Sequence, residues 1–345
     1  MSKLARRRCS IAPPTREEVQ NGNYDRSFLL ENFKHLFVGH SADAHVRQRG
    51  SSGGVGSELL KWLLETGEVD GVIAVGMNPE APSLPQYRLV TEPEAVMGLA
   101  GSKYVYMRFE EVSAILSQTL EQKLAVVVQP CHAVILKKLR ETRYPQIRYV
   151  FSFFCGYNIG ADATGYLIQK AGFQVEDALE VEYRGGPYPG GFRVKTTSGK
   201  EKQFGKESYE LVDLLYLLPG CERCPLYMGE DADIVLGDAW LRDYPNCTAV
   251  IGRTDTGMAL LKNADKAGKI LLYDLKEQDL VDMHWHNLRF KKYGHTKILH
   301  WITRLFNNRF AKYWAPFRLL SWLSKIRRKF KIGIKVDTLK RTQWS

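Results

Sequence analysis

Cys221 and Cys224 stand three positions apart behind the Pro219-Gly220 turn, inside the stretch LPGCERCPLYMGEDADIVLGDAW of residues 218–240. Two thiolates at that spacing can reach one metal centre from a single tight loop, so the pair suits a redox dithiol, half of a zinc site or half of an iron-sulfur site. Ala232 to Asp238 follows as a short buried strand ending in a turn. If the pair ligates, the fold must bring two more ligands to this loop, and that requirement limits how the rest of the chain can be arranged.

Few other thiols are available. The 345-residue sequence has six cysteines, no run of about 18 apolar residues, and a start, MSKLARRR, that no apolar signal-peptide core follows. We therefore expect a cytoplasmic globular protein whose cysteines serve metal or redox chemistry rather than disulfides. Cys9 stands alone among arginines and reads as an ordinary exposed thiol, and Cys247 precedes an apolar strand and reads as packed.

Cys131 and Cys155 remain, and each ends an apolar run. Leu124 to Val128 breaks at Gln129-Pro130 and delivers Cys131 and His132 to a helix over 134–140; Tyr149 to Phe154 delivers Cys155-Gly156 to a helix over 159–170. Upstream, Leu36-Phe37-Val38 reads as a strand, Ser51-Ser52-Gly53-Gly54 as a turn, residues 55–64 as a helix of 3.6-residue period, and Val72 to Val75 as a strand. Alternation of this kind predicts an α/β fold with a mostly parallel core sheet, in which ligands bind outside the carboxyl ends of the strands.

A Ser/Gly-rich helix start offers backbone N–H groups and the positive dipole end to a phosphate or a flavin pyrophosphate, although a plain helix cap fits it equally well. Thr91 with Glu94 forms a capping box that predicts a helix over 91–101, closed by Gly101-Ser102-Lys103-Tyr104, where the lysine reads as solvated. Residues 181–204 predict an antiparallel insertion, 208–217 a helix, 248–252 and 270–273 strands, and 258–266 a helix.

Six ordered motifs resemble those of the β subunit of coenzyme F420-reducing hydrogenase and its relatives. They are Ser51-Ser52-Gly53-Gly54, Gly101-Ser102-Lys103-Tyr104, Gln129-Pro130-Cys131-His132, Phe154-Cys155-Gly156, Gly220-Cys221-Glu222-Arg223-Cys224 with Ala232-Asp233-Ile234 and Gly237-Asp238, and Arg253-Thr254-Asp255-Thr256-Gly257. The resemblance covers about His35 to Asp274. It implies an iron-sulfur flavoprotein in which Cys131, Cys155, Cys221 and Cys224 bind a 4Fe-4S cluster, and Ser52, Gly53, Gly54, Ser102, Lys103 and Tyr104 neighbour FAD. His132, where relatives often carry Gln, is the candidate to donate a proton or tune the cluster, against a structural role at the helix start. Many relatives also carry a Cys-x-x-Cys-x-x-Cys segment, and only Cys9 occupies that region here. Electrons are therefore expected from a carrier such as ferredoxin or reduced F420, or from a partner subunit.

The net charge of +11 is a property of the C-terminal end. From Arg289 onward there are 16 Lys and Arg against one acid, Asp337, which leaves −4 for the rest. Two amphipathic stretches, Ile298 to Phe310 and Leu319 to Phe330, interleave these cations with Trp301, Trp314 and Trp322. Such helices suit either an anionic membrane surface, peripheral to the inner membrane face, or packing on the core or a partner; no recognition motif supports nucleic acid. The expected organisation is an N-terminal arm over 1–34, a flavin and iron-sulfur core over 35–275 and a basic helical tail over 276–345. Three functions compete: an FAD and 4Fe-4S oxidoreductase acting on a small organic substrate, an electron-transfer subunit of a larger complex, and a zinc-stabilised binding protein without redox chemistry.

Overall fold

The computed structural model describes residues 13–206, 208–209, 212, 216–294, 336 and 338–344. The helices are α1 (Arg16–Gln20), α2 (Arg26–Leu30), α3 (Ala44–Arg49), α4 (Val55–Glu65), α5 (Phe109–Gln118), α6 (Pro130–Thr142), α7 (Asp162–Lys170), α8 (Pro219–Arg223), α9 (Asp255–Lys266) and α10 (Glu277–Leu288). The large sheet is built from β1 (His35–Ser41), β2 (Gly71–Met77), β3 (Pro85–Val90), β4 (Leu124–Val127), β5 (Ile147–Phe153), β9 (Ile234–Asp238), β10 (Thr248–Gly252) and β11 (Ile270–Asp274). Its order is β11-β1-β10-β9-β5-β4-β2-β3. The expected parallel run, β2-β4-β5-β9, forms the centre, and antiparallel strands flank it on both sides. The predicted insertion is a separate antiparallel sheet of β6 (Ala178–Gly185), β7 (Gly191–Thr196) and β8 (Glu201–Gln203).

The central strands are apolar on both faces because the sheet is covered on both. Ile73, Val126, Val150 and Val235 join one buried cluster, and Val72, Ala125, Phe151 and Ile234 the other. A third cluster joins the small sheet to α7 through Tyr183, Phe192, Leu167 and Ile168. The strand order carries the chain ends to one place: Cys131 follows β4, Cys155 follows β5, Asp238 ends β9 and Met77 ends β2.

Several family-like motifs turn out to hold the fold. Asp233 is 4% exposed and ties three elements to the start of β9. One carboxylate oxygen accepts from the Val150 N–H at 2.8 Å and from Arg140 Nη1 at 2.9 Å, and the other accepts from Thr254 Oγ1 at 2.7 Å. Thr254 in turn caps α9 by accepting from the Gly257 N–H. Arg253, also buried, donates to the carbonyls of Met228 at 2.8 Å and Asn32 at 2.5 Å, so it staples the N-terminal segment to the loop before β9.

Three expectations need adjusting. The Thr91–Glu94 capping box does not form: Glu94 lies 3.0 Å from Lys61 instead, and the segment is a 3-10 helix over Pro93–Leu99 without a side-chain cap. A real capping box sits at Thr15 with Glu18. The N-terminal arm, where described, is folded onto the core: Val19, Phe28, Leu29 and Leu30 are buried, and Gln278 Nε2 donates to the Val19 carbonyl at 2.7 Å. Both described ends of the C-terminal segment also meet the core. Leu280, Val281 and Leu288 of α10 are buried. Lys340 O and the Thr342 N–H extend the edge of β11, and Arg341 Nη1 and Trp344 Nε1 both donate to Asp265, at 2.5 and 2.8 Å. The amphipathic stretches over 298–330, and Cys9, lie outside the described residues, and the expected helix over 208–217 lies partly outside them.

Replacing Asp233 by Ala leaves a half-buried guanidinium, a hydroxyl and a buried strand N–H without this acceptor. We expect the variant to lose about 3 kcal/mol of stability, read as a lower urea midpoint at unchanged slope.

Candidate redox centre and cleft

Each thiol arrives from a different local rule. Pro130 occupies the first turn of α6, where its missing N–H costs nothing, and this places Cys131 at a helix N-terminus. There the backbone N–H groups of Cys131 and His132 favour the thiolate, whereas burial and the charges of Cys224 and Cys221 push the thiol up to about 11. Cys155 follows β5, its N–H donating to the Tyr227 carbonyl at 2.9 Å, and Asn158 Nδ2 lies 3.5 Å from its sulfur. Burial pushes Cys155 up to about 12; Lys291 counters this, and Cys221, Cys131 and Cys224 add to it. Cys221 lies in α8 and Cys224 at its C-cap. Burial raises the Cys221 thiol most strongly, opposed by the Asn158 N–H and by Lys291.

The structure thus brings all four predicted cysteines within electrostatic reach of one another, and all four are free thiols. Among the described residues no group of three His, Cys, Asp or Glu side chains stands ready to hold a single metal ion. The donor set is soft sulfur, with helix amides at Cys131 and a lysine at the Cys221 carbonyl, which is the chemistry of a thiolate-bound iron-sulfur or zinc centre. Cys247 is buried elsewhere, with Arg47 Nη2 3.9 Å from its sulfur.

A cleft of about 200 Å³ opens near the end of β2, lined by Arg49, Met77, Ser102, Lys103, Glu182 and Arg184 among others. The glycine turn stands behind it. Gly53 and Gly54 have φ of +71° and +74°, and a Cβ on Gly53 would come within 2.8 Å of the Thr248 nitrogen, so neither position accepts a side chain without strain. Ser51 Oγ accepts from the Ser102 N–H at 2.7 Å and from its hydroxyl at 3.0 Å, which ties the turn to the cleft wall. Ser52, Gly53 and Gly54 do not line the cleft themselves.

Lys103 is half-buried and held by backbone rather than freely solvated. Its Nζ donates to the carbonyls of Leu99, Ala100 and Gly101 at 2.5, 2.9 and 3.0 Å, and burial, with Arg49 nearby, pushes it down to about 7. Tyr104 lies deeper, edge-on to Tyr183 and Tyr209. His132 is 2% exposed, between the hydroxyls of Tyr87 at 3.5 Å and Tyr106 at 3.4 Å, and burial pushes it down to about 4. It is therefore neutral near pH 7.

Two groups that sequence reasoning missed complete the picture. The Arg184 guanidinium, 2% exposed, binds Asp238 Oδ1 at 2.6 Å and the Pro189 carbonyl at 2.7 Å and lies over the Tyr188 and Trp240 rings, while among the described residues its Nη2 meets the hydrogen-bond criteria with no partner. A buried donor left open beside a cleft is a ready anchor for an anion or carbonyl of a ligand. No local pattern marks Arg184, which is one polar residue in an alternating strand. The second is His284 on α10. Its Nδ1 lies 2.8 Å from Tyr227 OH and its Nε2 3.0 Å from the Asp238 carbonyl. Phe154 lies edge-on to it at 4.8 Å, in space that a side chain on Gly237 would overlap.

The fold is one already seen in a redox complex. A chain of the F420-reducing NiFe hydrogenase complex from Methanosarcina barkeri, solved as a xenon derivative, superposes with a TM-score of 0.59 at 18% identity, over 90% of this chain and 98% of that one. Two sequence models of one family match in tandem: coenzyme F420 hydrogenase/dehydrogenase, β subunit N-terminus over residues 36–113 and C-terminus over 121–278. The chain belongs to the coenzyme F420 hydrogenase/dehydrogenase β-subunit family. Among its relatives, the coenzyme F420-dependent sulfite reductase of Methanocaldococcus jannaschii is 28% identical over 62% of this chain and 34% of its own length. The coenzyme F420 hydrogenase subunit β of Methanothermobacter thermautotrophicus is 24% identical over 70% of this chain and 84% of its own. For the F420-dependent formate dehydrogenase 1 subunit β of Methanococcus maripaludis the figures are 26%, 68% and 60%.

His284, like His132, is pushed down to about 4, in its case by burial against the pull of Asp238. In the unfolded chain such a ring titrates near about 6.5, so the unfolded state takes up the proton first as pH falls. The stability this confers is complete above about pH 6.5 and is lost towards about pH 4. We expect the wild type to lose more stability between about pH 7 and about pH 5 than His284→Gln, measured by thermal unfolding.

Proposed function

We propose that the protein is an iron-sulfur flavoprotein oxidoreductase of the β-subunit type, exchanging electrons between a reduced carrier, FAD and a 4Fe-4S cluster. What supports this reading is that four free thiols from three separate segments lie within electrostatic reach of one another, two of them just past the carboxyl ends of parallel strands. Cys131, Cys155, Cys221 and Cys224 would hold the cluster, and the cleft beside Ser102, Lys103 and Arg184 would take FAD. Bound there, FAD would supply conversion between two-electron and one-electron transfer, and the cluster would carry single electrons onward.

The chain's own contribution is binding and orientation. Arg184, fixed by Asp238, offers Nη2 to an anionic or carbonyl group. Lys103 closes the cleft wall by holding three carbonyls, and the Ser51–Ser102 bonds fix the glycine turn against it. The Phe154 ring is held by Gly237 and His284 next to Cys155. Relatives named for coenzyme F420 support reduced F420 as the carrier, acting on a small organic or inorganic partner substrate. Several of them are named as subunits, which favours as a second reading that this chain passes electrons within a complex whose other chain holds the substrate. Among the described residues no helix is long and apolar enough to cross a membrane, and a membrane-facing role for the basic stretches stays with the residues outside the description.

Anaerobic purification with metal, sulfide and flavin quantification tests the reading. We expect about four iron and about one FAD per chain. Serine at Cys131, Cys155, Cys221 or Cys224 should lower iron content, whereas serine at Cys247 should not. Arg184→Met should weaken FAD binding about tenfold, the loss of one hydrogen bond to a charged group. Zinc without iron or flavin would overturn the proposal.

A further inference from the structure

Past the end of α10, a π-helical turn over Arg289–Tyr293 buries two adjacent lysines, and only one of them has a carboxylate. Lys292, 1% exposed, binds Glu31 at 2.7 Å and Glu230 at 2.9 Å. Lys291 is equally buried, yet among the described residues no carboxylate pairs with it. Its Nζ donates to the Cys221 carbonyl at 3.4 Å, and the Phe290 ring lies 6.0 Å away. A buried ammonium without a counter-charge costs several kcal/mol. Its one described hydrogen bond puts it against Cys221, so the four-cysteine centre is placed to supply that negative charge.

From this placement we propose that Lys291 is the charge-compensating residue of the four-cysteine centre, seated to stabilise the negative charge that the centre gains on reduction. The inference rests on the iron-sulfur reading above. Four thiolates outweigh the positive charge of an iron-sulfur core, so the ligated centre is anionic. It becomes more so by one unit when one electron enters, with no bond made or broken. A fixed ammonium beside Cys221 favours that reduced form and raises the reduction potential. Lys292 cannot take this role, because Glu31 and Glu230 already neutralise it.

The test is a potentiometric titration of the anaerobically purified full chain, with dithionite as reductant and the cluster read by EPR. Lys291→Gln keeps a donor for the Cys221 carbonyl but removes the charge, and Lys291→Arg keeps the charge. With wild-type iron content, the Gln variant should be about tenfold harder to reduce, a midpoint about 59 mV more negative, and the Arg variant should return towards wild type. Iron loss from the Gln variant with iron retained by the Arg variant also supports the proposal, since charge is then needed to assemble the centre. A Gln variant with full iron and an unmoved midpoint overturns it, as does equal iron loss from both variants, which would reduce Lys291 to a packing role. A wild-type protein without iron overturns the iron-sulfur reading together with this inference, and the iron assay on the wild type tells the two failures apart.

Discussion

The buried carboxylate of Asp233 holds together the edge on which everything functional stands. By accepting from the Val150 N–H, Arg140 and Thr254, it joins β5, α6, the start of β9 and the cap of α9. Those elements carry Cys155, Cys131 and Asp238, and one buried acceptor with three hydrogen bonds fixes their relative positions. The parallel pairing of β4, β5 and β9 then sends three chain segments out on the same side, where the loop with Cys221 and Cys224 meets them.

Around that edge the protein distributes buried charge unevenly. Asp238 is compensated by Arg184 and Lys206, and Glu230 by Lys292. These pairs are structural, and they hold the cleft wall and the turn over Arg289–Tyr293 in place. Two cationic groups are left under-used, the Arg184 Nη2 at the cleft and the Lys291 ammonium at the thiols. Such groups are expensive unless something arrives to use them, and both face the places where an anionic flavin and an anionic cluster are proposed to sit.

Local reading went astray where a competing tertiary contact was stronger than the local signal. Thr91 and Glu94 have capping-box spacing, but Glu94 is drawn to Lys61 on α4, and the segment tightens into a 3-10 helix. Lys103 in a Gly-Ser-Lys-Tyr turn looks solvated, yet its own preceding carbonyls capture it once the small sheet closes the cleft. The residues ahead of β1 look like an arm because they are polar and short in period; Val19, Phe28, Leu29 and Leu30 are few, but each finds a place in the main core.

What the sequence by itself determined was the succession of elements and the location of the chemistry along the chain. Apolar period, Pro130 at a helix start and the glycine turn are local rules, and the cysteines at strand ends follow from them. Only the tertiary structure decided which of those ends meet, that antiparallel strands flank the parallel run, and that residues as distant as Arg184, His284 and Lys291 come to lie beside the cleft and the thiols. Strand order and side-chain burial depend on contacts between residues far apart in the chain, and no local periodicity encodes a partner at that range. A lysine in a basic C-terminal region reads as one solvated charge among many; its burial beside Cys221, with no carboxylate paired to it among the described residues, exists only once the chain has folded.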